Sequence, residues 1–71
     1  MSKGDLVMFT STGSYARWFF GRMAIIEHVS TRGSLDDKDK MCLRVRWLKP
    51  VQYYDRHAHV SDFPARHFEV C

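Results

Sequence analysis

Two arginines, Arg44 and Arg46, sit two residues apart in "MCLRVRWL", residues 41–48 of a 71-residue chain. On an extended backbone that spacing puts both guanidinium groups on one side of a strand. Cys42 and Leu48 share their side. Met41, Leu43, Val45 and Trp47 take the other, so the segment reads as a half-buried antiparallel strand. Arg22, Lys49 and Arg56 are the cations expected to act with this stripe on phosphates. Tyr53, Tyr54 or Trp18 would supply faces for base stacking. Arginine on phosphate with aromatic stacking suits a single strand or an RNA loop, whereas duplex DNA would use the charges alone. The net charge of +3 permits a polyanionic partner without demanding one. The competing reading of Arg44 and Arg46 is an ordinary solvated strand face.

A second group is "DRHAHVSD", with Asp55, His57, His59 and Asp62, followed by His67. A His-x-His pair on a strand points both imidazoles to one side and could hold zinc with Cys42 or His67 as a third ligand. No paired cysteine motif accompanies it, so no metal and no cofactor are expected. Asp36, Asp37 and Asp39 lack the glycine and ligand spacing of a calcium loop. The 30–40 segment reads as a solvated hairpin tip. Paired carboxylates and a glycine-rich phosphate loop are missing, and so short a chain has little depth for a substrate cavity. No enzymatic activity is expected. Cys42 and Cys71 are expected as free thiols in a reducing compartment.

The third group is "SYARWFFGRMAII", residues 14–26, where Trp18, Phe19 and Phe20 stand side by side. Read as part of a strand over 17–29, Trp18 and Phe20 share one face and Phe19 takes the other. If the alternation runs on, Phe19 joins Met23 and Ile25 inside. If Gly21 marks a bulge, the parity resets and Trp18 and Phe20 turn inward. Either register leaves an aromatic outside, where it is covered by a neighbouring loop or serves as a contact surface for a partner protein or a second copy.

The elements that must position these groups are short. Strands are expected over 5–10, 17–29 and 41–48, the last ended by Lys49-Pro50. Val51, Tyr53 and Tyr54 could start a short strand, and the rest of 51–62 reads as loop. Ser61 or Asp62 could cap one tight turn through Phe63–His67, followed by a last strand at Phe68–Val70. The chain is thus one all-β domain over 1–71, a small barrel of about five antiparallel strands with a short 3₁₀ turn before the last. The 14% aromatic content suits so short a chain, because each ring buries much area. Its expected core is Val7, Phe9, Met23, Ile25, Leu43, Val45, Trp47, Phe63, Phe68 and Val70. No stretch approaches the ~20 apolar residues of a membrane span, and the N-terminus lacks a signal-peptide pattern, so a cytoplasmic location is expected.

With "KGDLVMF" at the start, "FFGRMAIIEHV" and "CLRVRWL" as a long hairpin, and "DFPARHFEV" at the end, the chain resembles the SH3-like small barrels, in the broad sense that includes Tudor, chromo and KOW modules. The resemblance implies a binding module for peptides, methylated side chains, nucleic acid or other proteins. It does not extend to the acidic loop or the opening motif of signalling SH3 domains. The expected function is a nucleic-acid-associated or transcription-related accessory protein using Arg22, Arg44, Arg46, Lys49, Arg56, Tyr53 and Tyr54. The alternative is a protein-interaction module, monomer or homodimer, that docks through Trp18, Phe19 and Phe20.

Overall fold

The computed structural model describes residues 1–31 and 41–71. They form β1 (Leu6–Phe9), a four-residue helical turn α1 (Ala16–Phe19), β2 (Met23–Thr31), β3 (Met41–Tyr53), β4 (Arg56–Pro64), a 3₁₀ turn (Ala65–His67) and β5 (Phe68–Val70). All strand pairs are antiparallel, in the order β4-β3-β2-β1-β5. The expected all-β domain of five strands, with a 3₁₀ turn before the last, is therefore present. It is a small sheet of the kind that curls into a barrel. The segment at 32–40, including Asp36, Asp37 and Asp39, lies outside the described residues.

The sheet closes over an aromatic core. Phe9 is fully buried, with the rings of Phe19, Phe63, Phe68, Trp47 and His67 centred 5.1–6.4 Å from its own. Val7, Ala24, Ile26, Leu43, Val45, Val51 and Ala65 fill the rest. The indole Nε1 of Trp47 donates to Ser61 Oγ at 3.0 Å, so the one polar atom of that ring is satisfied inside.

Several expectations need correction. The segment at 16–20 is not strand. Residues 14–20 contain no β-branched side chain, and Phe19 N–H donates to the Tyr15 carbonyl to close one helical turn. Gly21 at φ +78° ends it, a conformation that glycine adopts without a Cβ clash. One isolated turn has little stability of its own, so burial of Phe19 must hold it.

The bulge lies at Glu27 rather than Gly21. Ile26 faces Val45 and His28 faces Arg44, which leaves Glu27 without an opposite residue. Parity therefore puts Ala24 and Ile26 inside, with Ile25 exposed and Met23 half-buried. Lys49-Pro50 does not end β3. The strand continues to Tyr53 because Pro50 falls where pairing with β4 is interrupted, between Arg46 and Val51, and no ladder bond is asked of its nitrogen. Residues 56–64 are not loop but an edge strand returned by the tight Tyr54-Asp55 turn. Val70, on the three-residue edge strand β5, is exposed rather than core.

Candidate functional site

The structure separates the residues that the sequence grouped. Arg44 and Arg46 do share the outer face of β3, exposed as expected. Each already has an anionic partner. Arg44 Nε donates to Asp62 Oδ1 at 3.1 Å, from the directly opposite position on β4. Arg46 Nε donates to Oε1 of Glu27, which the β2 bulge brings alongside. Pairs this exposed contribute only ~0–1 kcal/mol to stability, but their carboxylates offset the positive charge the stripe would offer a phosphate.

Arg22 and Lys49 come together elsewhere. With Gly21, Met23 and Leu48 they line a shallow depression of about 210 Å³, and neither cation has an ion-pair partner among the described residues. Arg56 sits at the far end of the β3–β4 hairpin, opposite Tyr53, and among the described residues it approaches only the carboxylate of Asp55, at 4.0 Å.

The aromatics behave differently again. Phe19 is only 2% exposed and belongs to the core, so it offers little surface to a partner. Phe20 faces solvent. Trp18 is half-buried and turns toward the β3–β4 hairpin, where its ring centre lies 4.8 Å from those of both Tyr53 and Tyr54. Tyr53 and Tyr54 are 4.6 Å apart and edge-to-face. Tyr15, which sequence reasoning passed over, completes the group at 6.4 Å from Tyr53. Trp18, expected either to stack beside Tyr53 and Tyr54 or to dock on a partner, thus lies with both tyrosines on one aromatic surface at one end of the sheet. Only the single-turn conformation of 16–19 makes this possible.

Two cations flank that surface. The Arg17 guanidinium carbon lies 5.1 Å from the Trp18 ring centre, within cation–π range, and Arg56 is highly exposed. Burial among its neighbours raises the Tyr53 phenol above its ordinary value of 10.0, with the Tyr54 and Tyr15 hydroxyls adding to the effect. It therefore stays a neutral hydroxyl at physiological pH. Next to the cluster opens a groove of about 330 Å³ lined by Tyr15, Phe19, Tyr53, Ala58, Ser61, Asp62 and Phe63.

Tyr54 has an unusual backbone. It is the first residue of the two-residue turn between β3 and β4, and its φ is +58°, the left-handed region that glycine, asparagine or aspartate usually occupies. The residue is 66% exposed, so core packing does not explain a bulky ring at that position. A strained residue at a surface is a pointer to use.

His57 and His59 are both exposed on β4, and no set of three metal-ligating side chains comes together among the described residues. Cys42 and Cys71 are free thiols. Among the described residues no helix is long and apolar enough to cross a membrane. No protein-family model matches the chain, and neither a curated protein nor a solved structure matches it.

Proposed function

We propose that the chain is a non-catalytic binding module of SH3-like barrel type that holds single-stranded nucleic acid on its aromatic end. The fold assignment is supported by the strand order β4-β3-β2-β1-β5 and by the 3₁₀ turn joining β4 to β5. The binding assignment rests on one observation: Tyr54 is kept exposed and backbone-strained against Trp18 and Tyr53, with Arg17 and Arg56 on either side. Exposed rings offer π-faces to any base, and flanking guanidinium groups meet the phosphates between them. Arg44 and Arg46 contribute less, because their charges are already matched by Asp62 and Glu27.

A second reading uses the same surface for a partner protein. It is favoured by the carboxylates of Asp55 and Asp62 near the aromatic end, which weaken its attraction for a polyanion. Salt separates the two. Labelled single-stranded and duplex oligonucleotides, titrated at low and physiological salt, should show salt-sensitive binding to the single strand. Trp18→Ala and the double variant Arg17→Ala/Arg56→Ala should lose it, while Arg44→Ala/Arg46→Ala keeps most of it. No binding to any strand at low salt would remove the nucleic-acid reading and leave the protein contact.

A further inference from the structure

The sheet treats its cations in two ways. Arg44 and Arg46 each meet a carboxylate on a neighbouring strand. Arg22 and Lys49 meet each other. The β2–β3 ladder stops at Ala24–Trp47. Two steps further along the same register Arg22 falls opposite Lys49, and the two line one depression with Gly21, Met23 and Leu48. Like charges directly opposite in an antiparallel pair repel. No carboxylate among the described residues relieves them, since the ion pairs there belong to Arg44, Arg46 and Arg56.

The backbone fixes one member of this pair firmly. Gly21 N–H donates to the Phe9 carbonyl, Phe9 N–H to the Arg22 carbonyl and Arg22 N–H to the Phe19 carbonyl, each at 2.9 Å. Arg22 is thereby tied to both β1 and the helical turn. Alternation puts it, opposite buried Phe9, on the inner side of its strand, and puts Lys49 on the side of β3 that carries Trp47, Val51 and Tyr53. Both residues are nevertheless exposed. An anion between them would remove the repulsion and accept charge-assisted hydrogen bonds, from a planar fork on one strand and an ammonium on the other. The depression, about 210 Å³, is smaller than the ~300 Å³ at which pockets for drug-sized ligands begin, so it suits a phosphate group rather than a whole nucleotide.

We propose that Arg22 and Lys49 form a phosphate site, occupied by a phosphodiester of the same strand whose bases stack on Trp18, Tyr53 and Tyr54. This site rests on the nucleic-acid reading of the aromatic end and gives the bound strand a second anchor. Lys49 and Tyr53 are four residues apart on one side of β3, no more than ~13 Å. A single strand of roughly four nucleotides or more reaches both.

Fluorescence titration of a labelled single-stranded oligothymidylate, repeated over a range of salt, tests it. Arg22→Ala/Lys49→Ala should weaken binding about tenfold or more and flatten the slope of log K against log salt by ~0.7, the value for one phosphate of a single strand. Arg44→Ala/Arg46→Ala removes the same formal charge and should change both quantities less. Amide shifts of the unmodified protein on adding the oligonucleotide, which need no variant, should mark Gly21, Met23, Leu48 and Lys49 as well as Trp18 and Tyr54. Binding that depends on Trp18 but is indifferent to Arg22→Ala/Lys49→Ala would overturn the phosphate site and leave the aromatic reading standing. So would equal losses in the two double variants, or shifts confined to the aromatic end. No binding of any strand at low salt would overturn both.

Discussion

Replacing Tyr54 with glycine tests the backbone and the binding surface together. The left-handed φ of +58° costs a residue with a side chain ~1–2 kcal/mol, and glycine does not pay it. Against that gain stand the lost contacts of the tyrosine ring with Trp18 and Tyr53. An aromatic pair contributes ~0.5–1.5 kcal/mol, and the low end applies to a ring this exposed, so the two together amount to about 1 kcal/mol. The opposing effects nearly cancel, so Tyr54→Gly should stay within about 1 kcal/mol of the wild type, a shift of no more than ~4–8 °C in melting temperature for a domain this size. Tyr54→Ala loses the same contacts and keeps the strain, so it should be the less stable of the two by about 1 kcal/mol. Both should bind single-stranded oligonucleotide more weakly. One stacked base contributes ~1–3 kcal/mol, which is about 5- to 150-fold in Kd. Thermal melts give the first quantity and fluorescence titration of a labelled oligonucleotide the second. An alanine variant more stable than the glycine variant would refute the backbone argument. Undiminished binding by the glycine variant would refute the stacking role.

Phe19→Ala should cost ~3–5 kcal/mol, a large part of the ~4–10 kcal/mol available to a domain of this length, and a denaturant titration should show it largely unfolded or sharply destabilised. A double-mutant cycle on Arg44→Ala and Asp62→Ala should give a coupling of ~1 kcal/mol or less by the same method, since both side chains are more than half exposed. His67 stacks on Phe9, its Nδ1 is buried without a partner among the described residues, and burial, reinforced by the Arg66 charge, lowers its pKa below the ordinary 6.5. The unfolded chain then binds the proton more readily than the folded one. Stability should be full above about pH 6.5 and fall progressively below it, toward the folded value, and a pH series of melts on wild type and His67→Phe should show this component only in the wild type.

Period-two alternation in "MCLRVRWL" was enough to place Leu43, Val45 and Trp47 inside and Arg44 and Arg46 outside, because a strand forces that alternation on any sequence. Short apolar runs between glycine, proline and polar turns were likewise enough for an all-β domain, and "FPARHF" for the turn before the last strand. Local sequence also singled out Trp18, Tyr53 and Tyr54 as candidate contact residues.

What it could not supply was parity across an irregularity. The β2 bulge sits at Glu27, whose carboxylate meets Arg46 on the next strand, and pairing with β3 on either side of it turns Ile25 out and Ala24 and Ile26 in. The continuation of β3 through Pro50 depends on the locally interrupted pairing with β4, a property of two strands rather than one. The helical turn at 16–19 depends on a place in the core for Phe19, which β1, β3 and β4 must first create. Composition and periodicity thus determined the kind of sheet and most of its interior. Only the tertiary structure brought Tyr15, Trp18, Tyr53 and Tyr54 to one surface and matched Arg44 and Arg46 with Asp62 and Glu27, because both outcomes are set by contacts between residues far apart along the chain.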